Sequence, residues 1–390
     1  MKILHIITRL IQGGAQQNTV LSCAAQVKAG HEVHLAYGPI YGPEGSLLDE
    51  AKASGAVLHE VSSMRRAVNP WHDLRCYFAI RKLIREVKPD VVHTHSSKAG
   101  IIGRAAAWKE HVSAVIHTVH GLPFHGRQSH LIHQVYVSLE KWAAKRCHHL
   151  IAITPAMVEA FENKDIAGAD RFTVIPSGIA LQAFDVSDVT VDQAREDIGF
   201  LNDSFVIGLV GRMDPLKGHE DLIEAIKSVI PRVKPWVDCM FVGDGWYADQ
   251  VKQVILDGDD FFADHFTFSR GMVPIETMKR RYRAMDLVVL PSYQEGQSRV
   301  LVEALLCGCG IVAYDVGGIP SICIDGETGK LVPVGDKQAL ADAITWMIEH
   351  PEERQAMTER GRMIVKEKFG AEAMTGELER LYQRLLTNET

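Results

Sequence analysis

Two carboxylates, Glu295 and Glu303, stand eight residues apart in the stretch PSYQEGQSRVLVEALLCGCGI from Pro291 to Ile311. An apolar strand over Leu287–Leu290 leads into it, and its small polar residues predict a loop that opens a helix near Gln297. The first turn of such a helix offers backbone N–H groups and the positive end of the helix dipole, which together suit a phosphate. Glu295 stands before the helix, where it can accept from a polyol beside that phosphate, and Glu303 inside the helix can accept from a ribose. Taken alone, the pair also reads as an acidic helix start and one surface glutamate.

Other residues of the second half point the same way. Gly211-Arg212-Met213-Asp214-Pro215-Leu216-Lys217-Gly218 follows an expected strand at Phe205–Val210. Within such a loop Arg212 and Lys217 can converge on a diphosphate, the arginine through its fork and the lysine as a point charge. Gly243-Asp244-Gly245 ends a strand at Cys239–Val242, where small residues admit a flat ligand closely. Arg270-Gly271-Met272-Val273 ends another at Phe266–Ser269 and offers a second base-facing edge, through Met272 and Val273.

The first half carries three candidate strand ends. Gly13-Gly14-Ala15-Gln16 follows the first strand, and its glycines allow close backbone approach ahead of a helix. The pattern is not G-x-G-x-x-G, which disfavours a nicotinamide dinucleotide. His93-Thr94-His95-Ser96-Ser97-Lys98-Ala99-Gly100 brings His95, Ser96 and Lys98 to a strand end, where they can line a cleft. Capping the next helix is the favoured role for Ser96 or Ser97. His117 to Gly126 places His120 after a strand, where a histidine can donate to a sugar hydroxyl or a developing charge. His117, His125, His130 and His133 also raise a metal cluster, but the helical pair is spaced i,i+3 with no carboxylate near in sequence, which disfavours zinc.

These residues need rigid elements beneath them. Strands are expected at Ile3–Thr8, Val33–Tyr37, Val57–Val61, Val91–Thr94, Val115–Val119, Leu150–Ile153 and Phe172–Ile175. Helices are expected between them at Ala15–Ala29, Leu74–Val87, Ala99–Lys109 and Leu131–Lys145. Such alternation predicts a parallel sheet covered on both faces, with ligands at the carboxyl ends of its strands. Turn residues from Pro176 lead to a domain boundary near 185–203, after which the same alternation restarts. The last helix, Ala371–Leu386, is amphipathic.

The chain of 390 residues exceeds one ordinary core, so two domains are expected. At 46% hydrophobic and 23% charged residues it reads as a soluble globular protein, with no apolar run of the ~20 residues a spanning helix needs. Its first residues read as a buried strand rather than a secretion signal. Seven scattered cysteines without a C-x-x-C pair indicate neither disulfides nor zinc, and a reducing cytoplasmic location is expected. Residues 1–170 carry 19 Lys+Arg against 14 Asp+Glu and 15 of the 18 histidines, whereas the remainder is strongly acidic. Arg127, Lys141, Lys145 and Arg146 on or beside an amphipathic helix, with Arg65, Arg66, Arg81, Lys82 and Arg85, make peripheral contact with an anionic membrane an expectation. An ordinary helix packed on the sheet through Leu131, Val135, Leu139, Trp142 and Ala143 is at least as strong a reading. Nucleic acid is not an expected partner.

Read as a whole, the chain resembles the family 4 retaining glycosyltransferases of GT-B fold. The resemblance rests on GRMDPLKG (211–218), VGDG (242–245), LPSYQEGQSRVLVEAL (290–305) with its Glu-x7-Glu spacing, DVGGIP (315–320) and DGETGKLV (325–332). It implies an α/β fold of two Rossmann-like domains facing across a cleft: an acceptor-side domain at 1–185, a nucleotide-sugar domain at 186–368, and a helix at 369–390 crossing back to the first. It further implies that Arg212 and Lys217 neutralise the donor diphosphate, Glu295 holds sugar hydroxyls and Glu303 the ribose. The amides near Arg299 and Val300 meet a phosphate, with Gly296, Gln297 and Ser298 beside them; Gly211, Gly243, Asp244 and Gly245 line the donor site. Gly14 approaches the phosphate from the other domain, His120 meets the donor sugar, and Gly13, Gln16, His95, Ser96 and Lys98 are acceptor-side candidates. Many members read Glu-Gly-Phe-Gly where this chain has Glu295-Gly296-Gln297-Ser298, which alters the expected sugar contacts. HTHSSKAGIIGR (93–104) resembles the branch that builds lipid-linked or cell-surface glycans. The implied substrates are a nucleotide-sugar donor, UDP-linked first, and a saccharide or lipid-linked saccharide acceptor. No metal and no cofactor are implied. Two rivals are a sugar-nucleotide epimerase of similar fold and a non-catalytic sugar-nucleotide-binding module.

Overall fold

The computed structural model describes residues 1–41, 45–124, 129–258, 260–271 and 273–387. Two compact units emerge, one of Met1–Ile179 with Phe369–Thr390 and one of Ala180–Lys368. Unit 1 is built on seven parallel strands: β1 (Lys2–Arg9), β2 (Glu32–Gly38), β3 (Val57–Glu60), β4 (Val91–His95), β5 (Ala114–Val119), β6 (His149–Ala152) and β7 (Phe172–Val174). Their order across the sheet is β3-β2-β1-β4-β5-β6-β7. Unit 2 has six: β8 (Phe205–Val210), β9 (Val237–Val242), β10 (Phe266–Ser269), β11 (Leu287–Leu290), β12 (Gly310–Tyr314) and β13 (Lys330–Val332), in the order β10-β9-β8-β11-β12-β13. Every expected strand forms, with ends shifted by one or two residues.

Central strands such as β8, β9 and β11 are buried throughout. That follows from helices covering both faces of a parallel sheet, which turns alternating strands into continuous apolar ones. Helix starts follow local chemistry: Asn69 caps the Pro70–Val87 helix by accepting from the N–H groups of Trp71 at 3.1 Å and His72 at 3.2 Å. The last helix, Ala371–Thr387, returns to unit 1, where Met374, Leu378, Leu381 and Tyr382 are buried against Ile3, Val91, Ile116 and Ile175. Each fully buried aliphatic side chain of this kind contributes about 1.5–3 kcal/mol, enough to fix the helix there.

The units change over at 179/180 rather than after 185. The Leu181–Phe184 turn belongs to unit 2 because Phe184 packs on Tyr282, ring centroids 6.3 Å apart, and its carbonyl accepts the Cys307 thiol at 3.8 Å.

The helix His130–Ala144 corrects the packing expectation. Its buried face is Val137, Glu140, Ala143 and Ala144, while Leu131 is 74% exposed and Val135, Leu139 and Trp142 are also exposed. The reason is electrostatic: Glu140 turns inward to accept from the wholly buried Arg104 at 2.7 Å, so the bulky stripe on the opposite side faces out.

Candidate functional site

In unit 2 the chain runs outward from β8 to β9 and β10 on one side, then returns to β11, β12 and β13 on the other. At such a switch the loops leaving adjacent strands diverge, and open parallel sheets bind ligands there. The loops at issue are 211–218 after β8 and 291–298 after β11. The Tyr293 N–H donates to the Leu216 carbonyl at 2.8 Å. Gly218 has φ +68°, and a Cβ there would lie 2.0 Å from the Pro291 carbonyl oxygen, so only glycine lets the two loops approach this closely.

Across this junction Lys217 Nζ donates to Glu295 Oε1 at 2.5 Å. The two side chains are 22% and 12% exposed, so the pair is reachable but mostly desolvated. Arg212 Nε donates to Asp214 Oδ2 at 2.9 Å, and Asp214 also accepts the Leu216 N–H at 2.8 Å. The guanidinium is thereby anchored on a buried carboxylate while most of the arginine remains in solvent.

The neighbouring loops close around them. A Cβ on Gly243 would sit 2.0 Å from the Gly211 carbonyl oxygen, and the Met213 N–H donates to the Asp244 carbonyl at 3.0 Å. Asp244 accepts from its neighbour Gly245 N–H at 2.8 Å and from Arg270 at 3.2 Å, which together hold its carboxyl below the usual range. Val273 follows in the same loop, while Met272 lies outside the described residues.

The helix expected near Gln297 begins two residues later and spans Arg299–Cys307, with the Ser298 hydroxyl accepting the Leu301 N–H at 3.4 Å. Arg299 and Val300 occupy its first turn, where amides have no intrahelical acceptor. Gly296 accepts from the Gly318 N–H at 2.9 Å, which ties Glu295-Gly296-Gln297 to the loop after β12. Glu303 accepts from the Tyr282 hydroxyl at 3.0 Å and lies 3.7 Å from Arg299. Burial raises its pKa above the usual carboxyl value, against the opposing pull of Arg299.

Unit 1 repeats the plan, its switch falling between β1 and β4. Gly13 precedes the Gly14–Lys28 helix, whose first turn holds Ala15 and Gln16. After β4, Ser96 adopts φ +60°, ψ 155°, a region costly by about 1–3 kcal/mol for an L residue. Its hydroxyl bonds the Thr8 hydroxyl at 2.7 Å instead of capping the Ser97–Lys109 helix, which corrects the capping expectation. The strained turn thus serves to join the two strand ends at the switch. His120, beyond β5, lines a cavity of about 230 Å³ with Ala15, Ser96, Ser97, Thr118 and Gly121. Burial pushes its pKa down to about 4, so the ring is neutral at pH 7.

Two acceptor-side candidates are placed elsewhere. His95 is wholly buried rather than cleft-lining, held between His5 and His120. Lys98 is turned toward Asp73, at 2.5 Å, and the Ala67 carbonyl, where it braces the Pro70–Val87 helix. His117 bonds the Thr94 carbonyl at 3.1 Å, and His125 lies outside the described residues. Among the described residues the close metal-capable group is a different one, His5, His93 and His95.

Two family models match the chain in succession: glycosyltransferase family 4 over residues 12–183 and glycosyl transferases group 1 over residues 190–363. The chain belongs to glycosyltransferase family 4. Relatives within reach of alignment include the capsular polysaccharide biosynthesis glycosyltransferase CapM of Staphylococcus aureus, 27% identical over 86% of this chain and 88% of that one. The UDP-Gal:alpha-D-GlcNAc-diphosphoundecaprenol alpha-1,3-galactosyltransferase of Escherichia coli is 28% identical over 73% of each chain. Among solved structures, Anabaena Alr3699/HepE in complex with UDP superposes with a TM-score of 0.83 at 21% identity, covering 98% of this chain and 100% of that one. That likeness carries the GT-B fold. The protein is a glycosyltransferase.

For this family 4 chain, sequence reasoning singled out residues near the strand ends of unit 2 and gave no role to a buried polar set in unit 1: His5, Gln26, His93 and Tyr382. The one available signal was His93-Thr94-His95, whose period of two puts both imidazoles on one face of β4. That β1 lays His5 opposite His93 is a matter of register, which only the fold discloses.

Proposed function

We propose that the protein is a retaining glycosyltransferase that moves a sugar from a nucleoside diphosphate, UDP first, to a saccharide or lipid-linked saccharide acceptor in cell-surface polysaccharide assembly. The observation that carries this reading is the Lys217–Glu295 contact across the β8/β11 switch. It places a cation and a hydroxyl-accepting carboxylate side by side at the strand ends where a ligand binds. Lys217 and Arg212 offset the charge that grows on the departing diphosphate, and the first-turn amides of Arg299 and Val300 receive one of its phosphates. Glu295 orients Lys217 and sugar hydroxyls, and Glu303 accepts from the ribose. The leaving phosphate takes the acceptor proton on the face where the new bond forms, which retains configuration and requires no metal or other cofactor.

UDP as carrier is supported by the uridine-linked donor named for the Escherichia coli relative. The same name and that of CapM support a lipid-linked or capsular acceptor. A thermal-shift panel of UDP-, GDP- and ADP-sugars tests the donor, since binding stabilises the native state by mass action. A hit is then incubated with a polyprenyl-diphosphate saccharide, and the anomeric coupling of the product is read by NMR. A rise in melting temperature only with a GDP- or ADP-sugar would overturn the UDP assignment. An inverted anomeric configuration would overturn the retaining mechanism.

Unit 1 further supports contact with an anionic membrane at the inner face of the cell. Among the described residues no helix is long and apolar enough to cross a membrane. Exposed Trp71, Leu74 and Phe78 on the Pro70–Val87 helix join exposed Trp108, Leu139 and Trp142 of the adjoining helices, and Leu74, Trp108, Trp142 and Arg146 share one groove. A groove that joins apolar Leu74, Trp108 and Trp142 with the cations Lys109 and Arg146 has the chemistry of an interfacial helix face. Pelleting with phosphatidylglycerol vesicles but not phosphatidylcholine vesicles at low salt is expected; equal recovery in both supernatants would refute it.

A further inference from the structure

A chain of imidazoles, buried at His5 and His95 and half-buried at His120, ends at the His120 cavity. Gln26 Oε1 lies 2.7 Å from His5 Nε2, His5 Nδ1 lies 2.9 Å from His95 Nε2, and His95 Nδ1 lies 2.9 Å from His120 Nε2. Each ring uses a different nitrogen for each neighbour. A neutral imidazole has one donor and one acceptor nitrogen, so assigning any single link assigns them all. Burial keeps the rings neutral: the pKa of His5 and of His120 is pushed down to about 4, and that of His95 well below its ordinary value.

Both ends of the chain favour one direction. At the inner end, the Gln26 carboxamide turns its oxygen to His5 and its nitrogen to the Tyr382 hydroxyl, at 3.4 Å. Tyr382 then donates to His93 Nδ1 at 2.5 Å, and His93 Nε2 donates to the Thr118 hydroxyl at 2.7 Å, so every group in the branch is satisfied. An amide oxygen can only accept, so His5 donates from Nε2, His95 donates to His5 and His120 donates to His95. At the outer end, His120 Nδ1 is buried and has no hydrogen-bond partner among the described residues. A buried acceptor left open is better tolerated than a buried N–H left open, which agrees with an unprotonated Nδ1.

We propose that Gln26 is a positioning residue that fixes His120 as its Nε2–H tautomer through His5 and His95, so that His120 presents Nδ1 to the cavity as a hydrogen-bond acceptor for a substrate hydroxyl. This replaces the donor role expected for His120 with an acceptor role, because its one N–H is committed to His95, and it rests on the transferase reading only for whose hydroxyl it meets. The site then selects a ligand that donates a hydrogen bond at this position and disfavours one carrying an ether or a bare carbon there. Metal at His5, His93 and His95 is the competing use of the same atoms, whose ligand nitrogens lie within 4.8 Å of one another. All six of their ring nitrogens are already engaged in the hydrogen bonds above, so a bound ion would have to dismantle the chain.

The test is the nitrogen NMR spectrum of the full-length protein carrying ¹⁵N-labelled histidine. The His120 signals are assigned by their loss in His120→Asn. Expected are a protonated Nε2 and an unprotonated Nδ1 in the wild type, a mixture of both tautomers in Gln26→Leu, and a return to the wild-type tautomer in Gln26→Glu, which keeps an acceptor facing His5. A protonated Nδ1 in the wild type, or an unchanged single tautomer in Gln26→Leu, would overturn the proposal. So would one equivalent of zinc retained on titration with the metal alone and lost in His93→Asn. No sugar nucleotide enters the measurement, so its failure leaves the transferase reading standing, and absence of transferase activity leaves the tautomer result standing.

Discussion

Lowering the pH from 7 to 5 should loosen unit 1 before unit 2. His5 is wholly buried and its pKa is pushed down to about 4 by desolvation, against about 6.5 for an exposed histidine. Between these values the unfolded chain binds a proton that the native chain refuses. The contribution is therefore complete above about pH 6.5, shrinks as the pH falls, and is gone below about 4. At pH 5 the loss from His5 alone is roughly 2 kcal/mol, from 1.36 kcal/mol per pKa unit. His120 acts over the same window, and His93, His95 and His117 shift in the same direction. Unit 2 has one such ring, His219, and its buried Asp286 and Glu303 have raised pKa values, which favours the native state as the pH falls.

Hydrogen exchange read by mass spectrometry separates the units within the intact chain. After correction for the intrinsic rate, peptides from β1, β4 and β5 should lose protection between pH 7 and pH 5 by at least ~30-fold more than peptides from β8, β11 and β12. The factor is one ring's contribution of roughly 2 kcal/mol expressed as an equilibrium constant, the excess of His5 and His120 in unit 1 over His219 in unit 2. Equal losses in the two units would refute the reasoning. So would a native-state NMR titration in which His5 protonates near pH 6.5.

Three further outcomes follow from the site geometry. Lys217→Ala should lower turnover on a UDP-sugar by about 100-fold, the scale of losing one charge-stabilising donor, and near-normal turnover in a folded variant would remove Lys217 from the chemistry. Glu303→Gln should weaken UDP binding by about tenfold in calorimetry, the equivalent of one charge-assisted hydrogen bond at roughly 1.5 kcal/mol; unchanged affinity would leave Glu303 a structural partner of Tyr282. Gly218→Ala should destabilise unit 2 by about 1–3 kcal/mol in urea, because the added Cβ cannot share space with the Pro291 carbonyl at φ +68°. An unshifted urea midpoint would show that the loop yields without cost.

Where sequence and structure agree, the agreeing features are local. The strands were legible because short β-branched runs alternate with longer helical patterns, and that alternation survives without knowledge of contacts. The placement of Arg212, Lys217 and Glu295 in loops after strands, and of Glu303 in the helix that follows, was legible because local pattern fixes the strand ends, and parallel strands bring their carboxyl ends to one edge. The failures involve partners remote in sequence. The stripe Leu131, Val135, Leu139 and Trp142 has the period of a core-facing helix, yet a buried Arg104–Glu140 pair set 36 residues apart decides which face turns inward. His95 looked available because a polar residue at a strand end usually is. It is unavailable because β1 and β4, brought together in register from 88 residues apart, enclose it beside His5. The same closure gives His120 its neutral ring and its chain of partners. A short polar motif therefore marks where chemistry can occur, while the protonation state that decides which chemistry is set by the long-range contacts around it.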